Sequence, residues 1–354
     1  MKKTLTLVIT LIGSIAFAQN ETKNVLFLGN SYTSANNLPQ MVEDIALSMG
    51  DTLIWDIAAP GVYYLDDHLL SSTSLNKIKS GNWDYVTLQE QSQAPTLPDS
   101  WMPRVFENAR KLDSIINTYN VCVETVFYMT WGRKNGDPAY CAVFSTWPYV
   151  CTYSGMDSLL NLRYRIMAEN NNAIVSPAGA VWNYIRKNHP LIELYQADES
   201  HPTVAGTYAA ACCFYTAFFR KDPALTSFNP GLSATDAATI RNASKIIVYD
   251  SLLNWHIGEY DSIQDINCST ASVMEKSQNS FWEIFPNPAS ETLTVRFADN
   301  DSKEPIQIYT TLGVLIQEIE AFRTTRINIV DLPKGLYYIQ LKNNNHRTLK
   351  FIKE

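Results

Sequence analysis

From residue 24 to about residue 255 the chain alternates unbroken apolar runs with stretches whose apolar positions recur at helical spacing. Asn24 to Gly29 is an apolar run closed by glycine, the pattern of a strand buried on both faces of a parallel sheet. Further strands are expected at 52–58, 85–89, 122–129 and 173–176, and helices near 38–49, 103–119, 156–169, 180–187, 204–219 and 234–255. Strands and helices in alternation predict a parallel five-stranded sheet with helices on both faces. Beyond Gly258 the pattern changes. Residues 259–282 are polar and read as a linker, and from Glu283 onward short alternating runs (293–297, 306–309, 314–318, 325–329 and 336–342) predict a small all-β domain.

The N-terminus has a different character. Lys2-Lys3 precede the uncharged apolar run Thr4 to Ile15, and Ala16-Phe17-Ala18 supplies a small-x-small cleavage signal, so residues 1–18 read as a signal peptide. The run is too short to span a bilayer stably, and Val204 to Phe219 is interrupted by Gly, Thr, Tyr and two Cys, which reads as a buried helix. No membrane span is expected. The chain of 354 residues is 46% hydrophobic and carries a net charge of −7, with no compensating basic cluster. Nucleic acid is therefore excluded as a partner, because phosphate binding needs a basic face. Residues 283–354 hold nine basic and nine acidic residues and no cysteine, so the two bodies differ in charge and thiol content.

Export permits disulfides. Cys141 and Cys151 flank an aromatic loop and are the pair expected to be bridged; Cys122, Cys212 and Cys213 read as core thiols. No Cys or His spacing matches a structural metal site, and no metal or other cofactor is expected.

The candidate chemistry lies at strand ends, where parallel α/β sheets bind ligands. Gly29-Asn30-Ser31-Tyr32 follows the first strand and presents the Ser31 hydroxyl where the next helix begins. A serine needs a base to accept its proton. Asp198-Glu199-Ser200-His201-Pro202 offers one, with three residues of separation letting Asp198 orient the His201 ring. An N-cap role for Ser31 and a solvated turn for Asp198 and His201 are the bland alternatives.

With these blocks in this order, residues 24–255 resemble the SGNH/GDSL hydrolase superfamily, whose first block carries the nucleophilic serine and whose last is Asp-x-x-His followed by Pro. The resemblance implies an α/β/α three-layer sandwich of flavodoxin-like type, spanning 19–258, that hydrolyses acyl esters on lipids or polysaccharides. It implies Ser31 as nucleophile, His201 as base and Asp198 as its partner. It also implies an oxyanion hole from the N–H groups of Ser31 and Gly61 and the side-chain amide of Gln91. Here Gln89-Glu90-Gln91-Ser92 stands where the family has Gly-x-Asn-Asp, so Gln91 replaces the usual Asn. Glu90, beside the presumed hole, is expected in a salt bridge. Asp66-Asp67-His68 reads as a solvated turn rather than a metal cluster, and His189 marks a helix end. Trp131, Trp147 and Tyr149 are expected as a substrate wall for sugar rings, with a plain cover over the sheet as the alternative.

Phe285-Pro-Asn-Pro to Leu293, a glycine turn at Gly313, and Leu332-Pro-Lys-Gly-Leu-Tyr337 resemble the C-terminal sorting domain of the type IX secretion system. That likeness implies a β-sandwich over residues 283–354 that engages the secretion machinery and is cleaved during export; a carbohydrate-binding module is the rival. The functional expectation is a secreted or cell-surface serine esterase acting on acylated carbohydrate. A non-catalytic glycan-binding protein on the same scaffold and an acyltransferase using the same triad are the alternatives.

Overall fold

The computed structural model describes residues 20–120, 122–261, 282–297, 303–310, 315–342 and 344–354. The signal peptide expected at 1–18, Cys268 and residues 262–281 of the expected linker lie outside them. The chain divides into two units, Met1–Ser272 and Val273–Glu354.

In the first unit five parallel strands, β1 (Thr22–Leu28), β2 (Thr52–Ala58), β3 (Tyr85–Leu88), β4 (Glu124–Tyr128) and β5 (Ile174–Ser176), stand in the order β2-β1-β3-β4-β5. This is the flavodoxin-like order, with a reversal of winding beside β1. Every residue of β3, β4 and β5 is buried, as their unbroken apolar runs require, while the edge strand β2 mixes exposed and buried positions.

Ten α-helices are α1 (Ser31–Ser34), α2 (Leu38–Ser48), α3 (Leu65–Leu70), α4 (Ser72–Lys79), α5 (Met102–Tyr119), α6 (Pro138–Val143), α7 (Tyr153–Asn171), α8 (Ala178–Asn188), α9 (Val204–Phe219) and α10 (Ala234–Ile247). Helices α3, α4, α5 and α7 pack together, and α2, α8, α9 and α10 form a second group. Helix α9 is buried from Ala205 to Phe219, which accounts for its apolar character all round. Among the described residues no helix is long and apolar enough to cross a membrane. The expected helix 234–255 is instead α10 and a separate 3₁₀ segment, Tyr249–Trp255, in which Ser251 leaves helical geometry. The short helices α3, α4 and α6 escape the periodicity altogether.

Two disulfide expectations have different outcomes. Cys141 and Cys151 are bridged, as expected, and Cys212 and Cys213 are free and buried. Cys122 is not a free core thiol: it is disulfide-bonded, and it precedes β4 instead of opening it.

The second unit is all antiparallel. Strands β6 (Trp282–Phe285), β7 (Thr292–Phe297) and β10 (Thr324–Asn328) form one sheet. Strands β8 (Lys303–Thr310), β9 (Leu315–Phe322), β11 (Gly335–Leu341) and β12 (Asn344–Lys353) form the other. Trp282, Leu293, Val295 and Ile327 of the first sheet share one core with Ile306, Ile308, Ile339 and Phe351 of the second. Two sheets enclosing one apolar layer make a sandwich.

Candidate active site

Strand β1 ends at Leu28, and the chain turns through Gly29 and Asn30 into α1. Asn30 is the N-cap, its side chain accepting from the Tyr32 N–H. The bland reading of Ser31 as N-cap therefore falls, because the capping oxygen belongs to its neighbour and the Ser31 hydroxyl is left for other partners. His201 Nε2 lies 2.8 Å from Ser31 Oγ. The other ring nitrogen, Nδ1, lies 2.5 Å from Asp198 Oδ2, and Asp198 Oδ1 accepts the backbone N–H groups of Ser200 and His201 at 3.0 Å each. The structure thus brings Ser31, His201 and Asp198 together across 170 residues of sequence.

The electrostatics follow from these contacts. Partial desolvation works to raise the Asp198 pKa, but the His201 ring and two backbone donors outweigh it and hold the carboxyl below its usual range. An ionised Asp198 fixes the proton on Nδ1, which leaves Nε2 free to accept from Ser31.

The support beneath Ser31 rests on contacts that the sequence pattern does not reveal. The buried Gln89 accepts from the Asn30 N–H at 3.0 Å and the Thr33 hydroxyl at 2.9 Å, and its amide donates back to Asn30 Oδ1 at 2.9 Å. A Cβ at Gly29 would run into Thr33 and Gln89, so this close approach requires glycine. His68 is a correction. It is not in a solvated turn but fully buried in α3, with Nε2 2.9 Å from the Gly29 carbonyl and Nδ1 2.8 Å from Ser74 Oγ. Burial lowers its pKa, so the ring is neutral and donates to Gly29 through Nε2. Tyr32 completes the support: its hydroxyl is 2.6 Å from Ser200 Oγ, beside His201.

Trp131 requires a second correction. It is fully buried, stacked on Trp182 at 3.6 Å and on Tyr32 at 5.0 Å, and donates to the Ser200 carbonyl at 3.1 Å. It buttresses the histidine loop and cannot be a substrate wall. Trp147 is half-buried, donating to the Thr96 carbonyl at 2.9 Å, and Tyr149 beside it is 45% exposed.

Of the expected oxyanion donors, Ser31 opens α1, where a backbone N–H has no intrahelical acceptor. Gly61 sits in an exposed turn after β2, tied to the nucleophile loop where Asn30 donates to the Tyr63 carbonyl at 2.9 Å. Gln91 is buried, and its amide oxygen accepts from the Gln93 and Ala94 N–H groups. One of its amide hydrogens goes to Gln93 Oε1 at 2.6 Å, which leaves a single N–H for other work. Among the described residues Glu90 has no salt bridge; its carboxyl accepts the backbone N–H groups of Leu65 at 3.1 Å and Gln91 at 2.7 Å, clamping the start of α3 to the loop after β3. Burial pushes its pKa up to about 7 against the pull of those two donors. His189 caps the C-terminus of α8, as expected.

Residues 283–354 match the family model described as a secretion system C-terminal sorting domain. No curated protein matches the chain. Among solved structures, a DUF4886 family protein from Bacteroides uniformis is similar at 15% identity and a TM-score of 0.53, over 66% of this chain and 95% of that one. A protein from Slackia heliotrinireducens provisionally described as an SGNH hydrolase is 22% identical with a TM-score of 0.46, over 55% and 97% of the two chains. An acetylxylan esterase from Geobacillus stearothermophilus is 12% identical with a TM-score of 0.41, over 57% and 96%. At these identities the likeness is one of fold.

Proposed function

We propose that the first unit is a serine esterase hydrolysing acyl esters, and that the second unit directs its export through the type IX secretion machinery. The observation that carries the catalytic reading is the unbroken chain from Ser31 Oγ through His201 to Asp198, with separations of 2.8 and 2.5 Å. Those are the contacts a hydroxyl needs to lose a proton to an oriented imidazole.

In this reading His201 Nε2 takes the Ser31 proton as Oγ attacks the ester carbonyl. The tetrahedral intermediate carries its negative charge on the former carbonyl oxygen, met by the N–H groups of Ser31 and Gly61 and the remaining N–H of Gln91. His201 then gives the proton to the departing alcohol. A water molecule, deprotonated by the same imidazole, attacks the acyl-enzyme and releases the acid. Asp198 stays ionised throughout and stabilises the imidazolium. Acyl transfer to a sugar hydroxyl would use the same residues with a different acceptor.

The export reading draws on the sorting-domain match at residues 283–354 and on the leader-like residues 1–18. It makes the protein secreted or surface-bound.

The full chain is expected to cleave a short-chain aryl ester and to be labelled at Ser31 by a fluorophosphonate. Ser31→Ala should lose labelling and about 10³-fold or more of the turnover. Unchanged turnover in Ser31→Ala rules the mechanism out. Binding of glycans without any ester cleavage or labelling would favour the non-catalytic alternative.

A further inference from the structure

If Ser31 is the nucleophile of an ester hydrolase, the rim around it bears on what the alcohol half of the ester is. Ser31 follows β1, an inner strand, and His201 reaches it from the segment just before α9. The loops after β2, β3 and β4 carry a row of aromatic side chains. The Tyr64 and Tyr140 side chains lie beside each other. The Tyr140 ring lies 5.6 Å from Phe144 at 81°, and Phe144 lies 6.5 Å from Trp101 at 83°. Rings meeting edge to face satisfy their quadrupoles and hold one another in place. Trp101 is 43% exposed, whereas Tyr64, Tyr140 and Phe144 are seated against the core.

Two features fix this row relative to the nucleophile. Tyr63, next to Tyr64, holds the Asn30 side chain at 2.9 Å, one residue from Ser31. Helix α6, which carries Tyr140, is capped by Asp137, and Asp137 is held by Gln93 from the loop after β3. The Cys141–Cys151 bridge closes the far side of the same loop. Polar groups are interleaved with the rings: the two tyrosine hydroxyls, the Arg104–Asp66 ion pair and the Arg163–Asp99 ion pair. An acyl chain would want a continuous aliphatic wall. A sugar ring presents a C–H face that stacks on an aromatic plane, together with hydroxyls that need fixed donors and acceptors at the edge.

We propose that Trp101, backed by Phe144, Tyr140 and Tyr64, forms a platform for a sugar ring of an acylated glycan, which delivers its ester group to Ser31. The platform replaces the wall centred on Trp131 that the sequence led one to expect.

The test compares the full chain with its Trp101→Leu and Trp101→Tyr forms on acetylated xylan, glucomannan and pectin oligosaccharides and on 4-nitrophenyl acetate. Trp101→Leu should reduce the ratio of glycan to aryl-ester kcat/KM about tenfold, chiefly through KM, as expected for about 1.4 kcal/mol of lost stacking. Trp101→Tyr should restore most of it. Loss of both activities in equal measure, or an unchanged ratio, overturns the platform. Binding is read separately, by affinity electrophoresis of Ser31→Ala forms in gels containing the same glycans. If the wild type cleaves no ester, the esterase reading fails, yet retardation abolished by Trp101→Leu still supports the platform. Retardation insensitive to Trp101, or none with any of these glycans, overturns it.

Discussion

At the scale of the residue, the Ser31–His201–Asp198 arrangement depends on a carboxylate that stays charged. Asp198→Asn would let the imidazole adopt the wrong tautomer while leaving the loop in position through the backbone N–H groups of Ser200 and His201. The expected result is a fall in kcat of about 10²–10⁴ with little change in thermal stability, checked by steady-state kinetics beside a thermal melt. A parallel collapse of the melt would mean that Asp198 serves the fold and not the proton transfer. These three residues were readable because each lies in a short local pattern: a serine after a buried strand, and an Asp-x-x-His turn before a helix. Tyr32, Gln89 and Trp131 were not, because their roles come from contacts spanning 168, 59 and 69 residues. A tryptophan in a loop looks the same in sequence whether it faces solvent or, as Trp131 does, lies flat against Trp182.

At the scale of the element, the five strands and the long helices follow from apolar periodicity, and the strand order places β1 inside the sheet. The short helices α3 and α6 do not follow from it, since six residues each are too few to show a period and are held by caps and tertiary contacts. The loop containing α6 depends on closure. Gly136 has a φ of +83°, and a Cβ there would strike the Cys151 backbone. The bridge closes a loop of sequence separation 10. Replacing Cys141 and Cys151 together by serine should therefore destabilise the first unit by about 2–3 kcal/mol, the loop-closure value for a ring of this size. Chemical denaturation of oxidised and double-mutant protein measures it, and coincident curves would show that the loop's other anchors, at Gln93 and Thr96, suffice.

At the scale of the whole molecule, buried carboxyls make stability depend on pH. Burial pushes Glu90 and Glu124 up to about 7 and Asp113 up to about 6, and raises Asp157 as well. Because the folded state holds these protons more tightly than the unfolded chain, the stability they provide is complete below the ordinary carboxylate range. It is lost as the pH climbs towards about 7. Asp198, held low, acts in the opposite sense and only at more acid pH. The melting temperature should thus decline between pH 5 and 8, and Glu124→Gln should flatten that decline. A rise across the same interval would contradict the assignment. The sandwich of residues 283–354 has its own core, separate from that of the first unit.

Helix α9 begins three residues after His201 and is surrounded by protein along nearly its whole length. The imidazole is therefore mounted beside a tightly packed rod, and on the proposed mechanism distant packing defects acquire a chemical readout. Trimming Phe214 or Phe218, which contact Phe27 of β1, to leucine would shift the mountings of His201 and Ser31 relative to each other. Turnover should register such a slip of a few tenths of an ångström before unfolding does.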